Sequence, residues 1–216
     1  MKANIVIFGK NSIIAQNFIK DNYCKKNNII CISRNNKSED EINCDIGKPL
    51  LSEEIEKIIN KIKKKIIYEQ TIFILFSWYG GPRITADKDD IWSTNMNIIQ
   101  NFIAISGIIS PSRIIFLSSA GSLYPENKKS FNFPETFKPI PTNSYGRQKL
   151  LSEKLLTYFA ETQKQQLTIL RIASAYGFDR RFSDQGVINK WLYSAINNKK
   201  IQLYNSKESQ INFISF

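Results

Sequence analysis

Asn4-Ile5-Val6-Ile7-Phe8-Gly9-Lys10-Asn11-Ser12-Ile13-Ile14-Ala15 decides how the rest of the chain is read. Ile5 to Phe8 is a short apolar run rich in β-branched residues, the mark of a strand buried on both faces. A glycine follows at once, and Ser12 stands ahead of Ile13-Ile14-Ala15, where a helix begins. Strand, glycine turn and helix form the unit in which backbone N–H groups at a helix N-terminus approach a pyrophosphate. The glycine pattern is partial, because Ser12 and Ala15 occupy the places where a dinucleotide fingerprint carries its second and third glycines. Ala15 is small enough for close packing, but Ser12 brings a Cβ to where the phosphate approaches. Taken alone, Gly9 fits an ordinary tight turn as well as a cofactor loop.

Outward from this unit the same alternation repeats. Strands are expected at Asn4 to Phe8, Ile29 to Ser33, Ile42 to Cys44, Thr71 to Phe76, Arg113 to Ser118 and Leu167 to Ile172. Helices are expected to start near Ser12, Ser52, Asp89 and Asn143. Short apolar strands alternating with helices predict an α/β fold, a parallel sheet covered by helices. After Tyr176-Gly177 the pattern turns irregular, with a helix expected from about Gly186 to Asn197 and a short apolar Ile201-Gln202-Leu203. The last residues, Ile211 to Phe216, read as a strand with no turn behind it, as in a fragment of a longer chain.

Composition narrows the chemistry. There is no histidine, which excludes Ser-His-Asp and Cys-His catalysis and removes the commonest metal ligand, so proton transfer falls to Tyr, Lys, Asp or Glu. Cys24, Cys31 and Cys44 are odd in number and lack zinc-ribbon spacing, which points to reduced thiols and to no metal. The formal charge of +11 invites a nucleic-acid reading, but the lysines are dispersed and cluster only at Lys61, Lys63, Lys64 and Lys65. There Ile55, Ile58, Ile59, Ile62 and Ile66 recur at helical spacing, so the lysines are the wet face and C-terminal end of an amphipathic helix. No nucleic-acid partner is expected, although a positive surface attracts phosphorylated small molecules. No apolar run reaches the roughly 18 residues of a membrane span, so a cytoplasmic protein is expected.

Three strand ends carry groups suited to a ligand. After the second strand, Ser33-Arg34-Asn35 stands where an acidic residue reads the ribose of NAD and where an arginine holds the extra phosphate of NADP. This favours NADP, against Arg34 as a surface charge. Asp45, after the third strand, meets an adenine amino group or caps a turn. The fifth strand runs into Ser118-Ser119-Ala120-Gly121-Ser122-Leu123-Tyr124 at the carboxyl edge of the sheet, where such folds bind ligands. These hydroxyls polarise a substrate oxygen or cap the turn. Finally, Tyr145 and Lys149 are four apart and share one helical face. A free phenol titrates near pH ~10, and a neighbouring ammonium draws that value toward neutrality, so Tyr145 becomes acid or base and Lys149 tunes it. The plainer alternative is a packed ring beside a solvated charge.

Gly9 to Ala15, Ser118 to Tyr124, Tyr145 to Glu153 and Leu170-Arg171-Ile172-Ala173-Ser174-Ala175-Tyr176-Gly177 together resemble the extended short-chain dehydrogenases/reductases, most closely the sugar-nucleotide epimerases and dehydratases. The resemblance implies a doubly wound Rossmann-type sheet over residues 1–175 and the start of a small substrate-binding region over 176–216. It implies Tyr145 as acid/base, Lys149 as the residue that binds the nicotinamide ribose and lowers the phenol, and a nearby serine. Counted back from Tyr124, the family's hydroxyl position falls on Ala120, so Ser119 serves through a one-residue bulge or Ser122 from the other side, with Ser119 preferred. NADP or NAD is then held by Gly9, Asn11, Ser12, Ile13, Ser33, Arg34, Asp45, Ile46, Phe76, Asn95, Tyr145, Lys149 and Ala173. Ser174, Arg180 and Arg181 are expected to meet the substrate, a nucleotide-linked sugar. The implied activity is a sugar-nucleotide epimerase or 4-keto-sugar reductase in surface-polysaccharide (O-antigen or capsule) synthesis, working as a homodimer through the helices after Asp89 and Asn143. The family's chains usually run roughly a hundred residues further, a domain's worth. The alternative is a non-catalytic dinucleotide-binding or regulatory module.

Overall fold

The computed structural model describes residues 2–34, 41–81, 89–124, 133–176, 187–201 and 213–215. In chain order the elements are β1 (Asn4–Phe8), α1 (Ile13–Lys20), α2 (Asn22–Lys25), β2 (Asn28–Ser33), β3 (Ile42–Asn43), α3 (Ser52–Lys65) and β4 (Thr71–Leu75). They continue with α4 (Asp89–Ile109), β5 (Arg113–Ser119), α5 (Ala120–Leu123), α6 (Ser144–Gln163), β6 (Gln166–Ile172), β7 (Ser174–Tyr176), α7 (Val187–Ile196) and β8 (Phe213–Ser215). The six strands expected between Asn4 and Ile172 are found with ends shifted by one residue at most; of the strand expected over Ile211 to Phe216 the described part is Phe213–Ser215, and Gln202 and Leu203 lie outside the described residues. The sequence pattern does not reveal α2, α5 and β7, each four residues or fewer, too short to display a period.

Six parallel strands form one sheet in the order β3-β2-β1-β4-β5-β6, and β7 pairs with β8 in a separate parallel pair. This is a doubly wound, Rossmann-type α/β fold. The order reverses between β1 and β4, so the crevice outside their carboxyl ends is the switch point at which such sheets bind ligands. Gly9 leaves β1 at that point with φ of +92°, and a Cβ on it would lie 2.5 Å from the Ser77 backbone nitrogen. The glycine is therefore required by the close approach of the chain leaving β4, whatever the turn binds.

Each face of the sheet has its own core. On one, Val6, Phe8, Ile30, Ile32, Phe73, Leu75, Ile114 and Phe116 pack against Ile58, Ile59 and Ile62 of α3, Ile98, Ile99, Phe102 and Ile105 of α4, and Leu156 of α6. Phe8 is its centre, with ring centroids 5.2 Å from Phe73 and 4.9 Å from Phe102. On the other, Ile5, Ile7, Cys31 and Ile74 pack with Ala15, Phe18 and Ile19 of α1. The isoleucine stripe of α3 is buried as expected, its lysines stay outside, and Lys63, Lys64 and Lys65 lie in the last turn where they complement the helix dipole. Among the described residues no helix is long and apolar enough to cross a membrane.

Candidate active site

The serine turn and the tyrosine helix meet because of a glycine. Asn143 caps α6 by accepting a hydrogen bond from the Gly146 N–H at 2.8 Å. A Cβ on Gly146 would lie 2.2 Å from the Ser122 carbonyl oxygen, so only glycine lets the first turn of α6 rest on α5. The N–H of Ile140 donates to the Leu123 carbonyl at 2.8 Å and ties the approach to α6 to the same turn. Tyr145 is thereby placed beside the carboxyl end of β5.

A clamp holds this junction from the far side. Glu153, buried on α6, accepts from Arg171 of β6 through both oxygens, at 3.1 and 2.7 Å, and Arg171 also donates to the Tyr124 hydroxyl at 2.9 Å. Those bonds, to Glu153 first, raise the guanidinium pKa further above its ordinary value. Neither Arg171 nor Glu153 has a role in the sequence reading, although both lie in motifs it singles out. The arginine of the Leu-Arg pair fastens the tyrosine helix to the sheet.

Lys149 is buried, and its ammonium donates to the Leu117 carbonyl at 2.8 Å. It lies 3.7 Å from the Trp78 ring centroid, 4.8 Å from that of Phe116 and 5.8 Å from that of Tyr145. Burial draws its pKa well below the ordinary lysine value, and the Glu153 carboxylate one turn away opposes that. Burial also pushes the Tyr145 phenol up, to about 12. This corrects the expectation that Lys149 lowers the phenol: the ammonium is turned onto a carbonyl and an indole face, and desolvation governs the ring it was expected to tune. At neutral pH Tyr145 is a protonated phenol, a proton donor.

Around these two residues the fold holds buried polar atoms without partners: the hydroxyls of Ser118 and Ser122 and the indole N–H of Trp78. Ser119, half-buried, ends β5 and caps α5 without a side-chain bond of its own. Trp78, absent from the sequence reading, touches Tyr145 edge-on at 6.4 Å between centroids. Asn95 is buried and bonded within the protein. Its oxygen accepts from Tyr79 N–H at 2.9 Å, and its amide donates to the Tyr79 carbonyl at 3.0 Å and to Gln148 Oε1 at 2.7 Å. These bonds latch the segment after β4 to α6.

At the other end of the crevice Asn11 donates to Ser33 Oγ at 3.5 Å and to the Arg34 carbonyl at 3.3 Å, so the glycine turn and the end of β2 share one polar cluster. The exposed Arg34 guanidinium lies 5.9 Å from the Tyr79 ring centroid. Ser12 is the cap of α1, its hydroxyl accepting from Ala15 N–H at 3.1 Å. The N–H groups of Ile13 and Ile14 in the first turn have no intrahelical acceptor, as at any helix start. Lys10 and Glu41 form an ion pair beside this turn. Asp45 accepts from Gly47 N–H at 3.1 Å and caps its turn, while Ile46 is buried and Phe76 packs on Phe18. Ala173 is half-buried between β6 and β7, Ser174 is exposed, and Arg180 and Arg181 lie outside the described residues. The donor set fits a dinucleotide at both ends: unpartnered hydroxyls and a buried ammonium at one, an amide, hydroxyl and guanidinium at the other.

Comparison with known proteins agrees with this layout. A reductase of Escherichia coli, dTDP-4-dehydro-6-deoxyglucose reductase, is 34% identical over 103 residues, which is 47% of this chain and 32% of the reductase. UDP-glucose 4-epimerase of Thermotoga maritima superposes with a TM-score of 0.80 at 20% identity over 98% of this chain and 69% of its own. The Thermus thermophilus UDP-glucose 4-epimerase, solved with NAD, gives 0.81 at 14% identity over 98% and 70%. These two show likeness of fold. The family model described as NAD dependent epimerase/dehydratase matches residues 5–215, nearly the whole sequence, and the chain belongs to that family.

Proposed function

We propose that the chain is an NAD(P)-dependent oxidoreductase acting on a nucleotide-linked sugar, working as a reductase of a 4-keto sugar. The observation that carries this reading is the placement of Tyr145, half-buried beside the serine turn and one helical turn from Lys149, with the Ser118 and Ser122 hydroxyls buried and unpartnered among the described residues. Reducing a ketone requires a proton donor at the carbonyl oxygen, which this phenol supplies. The similarity to the E. coli reductase adds support.

In this mechanism the substrate carbonyl oxygen sits within reach of the Tyr145 and Ser119 hydroxyls, and Ser119 polarises it. The nicotinamide cofactor, when bound, supplies the hydride that adds to the carbonyl carbon. Tyr145 gives its proton to the developing alkoxide, so that ketone, hydride and proton become a secondary alcohol. Lys149 is assigned to the nicotinamide ribose, and solvent returns the proton to the phenolate left behind. Gly9, Asn11, Ser12 and Ile13 would face the pyrophosphate, with Asp45, Ile46, Phe76 and Ala173 along the adenine and nicotinamide walls. Ser33 and Arg34 offer a hydroxyl and a guanidinium to a 2′-phosphate, which favours NADP. Ser174, Arg180 and Arg181 are assigned to the substrate diphosphate, in a substrate region beginning near residue 176. On this reading the product is an activated deoxysugar for surface polysaccharide, made in the cytoplasm. Exposed Trp92 and Ile108 on α4 with Leu155 and Tyr158 on α6 offer an apolar face for a homodimer.

The test is to incubate the chain with a dTDP-4-keto-6-deoxysugar and NADPH deuterated at the transferable position. Deuterium at C4 of the product is expected. Cofactor binding with no conversion of any 4-keto sugar would favour the non-catalytic module.

A further inference from the structure

Trp78 lies at the centre of the site, yet neither its indole N–H nor its ring serves the core alone. The segment Phe76-Ser77-Trp78-Tyr79 is fixed on both sides. The N–H groups of Phe76 and Ser77 both donate to the Phe8 carbonyl at 2.9 Å, and Tyr79 is gripped by Asn95 through its N–H and carbonyl. Asn95 also donates to Oε1 of Gln148, the residue next to Lys149, so one side chain ties the segment that carries the indole to the helix that carries the lysine. The result is an aromatic face held 3.7 Å from the Lys149 ammonium, with Phe116 at 4.8 Å behind it.

We propose that Trp78 is a positioning residue that holds the Lys149 ammonium on its ring face, and thereby sets the pH range over which Lys149 is charged beside Tyr145. A ring quadrupole attracts the ammonium and not the neutral amine, and the attraction strengthens where water is excluded. The other groups around the ammonium do not replace it. On its own helix stand Tyr145 and Glu153; Glu153 is committed to Arg171, which also holds Tyr124. Among the described residues β5 contributes the Leu117 carbonyl and the Phe116 ring, and the segment after β4 contributes the indole itself. Burial favours the neutral amine, and the indole face opposes it. The importance of this charge to turnover rests on the role proposed for Tyr145, whereas the contact does not.

The experiment is a pH titration of the Lys149 Cε resonance in protein labelled with 13C-lysine, free of cofactor and substrate, the signal being identified by its loss in Lys149→Met. Trp78→Leu is expected to lower the midpoint by about one pH unit, the size of a desolvated cation–π contact. Trp78→Phe, which keeps an aromatic face, should recover most of that shift. Replacing the tryptophans by mono- and trifluorinated analogues withdraws ring electron density without changing shape, and the midpoint should fall stepwise with fluorination. This second series decides the matter by itself if Trp78→Leu does not fold. Midpoints that coincide in wild type, leucine and fluorinated proteins would overturn the proposal, as would phenylalanine and leucine variants that shift alike. Because nothing is turned over, an inactive protein with the expected shifts counts against the reductase reading alone. Unmoved midpoints in an active protein count against Trp78 alone.

Discussion

The two ends of the sheet treat buried polar groups in opposite ways. At the amino end Asn4, fully buried, donates to the Tyr68 and Gln70 carbonyls and Thr71 Oγ at 2.7, 3.0 and 3.1 Å. Its oxygen accepts from Asn28 Nδ2 and from the N–H groups of Ile67 and Tyr68 at 2.9, 2.9 and 3.2 Å. At the carboxyl end Ser118, Ser122 and Trp78 keep buried polar atoms with no partner. Ser106 Oγ and Gln165 Oε1, where α4 passes the start of β6, are exceptions at the amino end. A buried polar group without a partner costs about 1–3 kcal/mol, and among the described residues such groups cluster around Tyr145 and Lys149, where a bound ligand would supply partners. The amino end serves the fold.

That contrast can be broken by substitution. The largest effect is expected at Glu153→Ala, which strands the Arg171 cation against α6: about 4 kcal/mol of stability in a denaturant titration, with turnover falling too, because the clamp sits behind the site. A stable variant with normal activity would separate the clamp from the chemistry. Asn4→Ala should cost about 3 kcal/mol by orphaning several partners, yet leave cofactor affinity of the folded protein unchanged. An affinity loss measured by calorimetry would show that the two ends are not independent. The smallest effect is expected at Arg34→Ala: about a tenfold weaker NADPH affinity, unchanged NADH affinity and no change in melting temperature. Equal losses for both cofactors would remove the 2′-phosphate role.

Much of this was legible in the sequence. The strands, α3 with its isoleucine stripe and the Tyr145–Lys149 face follow from periodicity within one element, which a linear reading captures. What escaped depends on contacts between distant segments. Gly146 reads as one more helix residue until the Ser122 carbonyl appears beneath it. Asn95 meets Tyr79 and Gln148 across 16 and 53 positions, and Arg171 meets Glu153 and Tyr124 across 18 and 47. Trp78 carried no motif, and its importance comes from where Lys149 points. The sign of the phenol shift escaped for the same reason, since spacing brings a lysine near a tyrosine but side-chain direction decides whether charge or burial prevails.

The most direct test compares wild type with Tyr145→Phe, measuring NADPH affinity by calorimetry and 4-keto-sugar reduction by NADPH oxidation. Removing only the proton donor should lower kcat by about a thousandfold and leave the cofactor dissociation constant within about a factor of two. A phenylalanine variant that reduces the sugar at the wild-type rate would contradict the account.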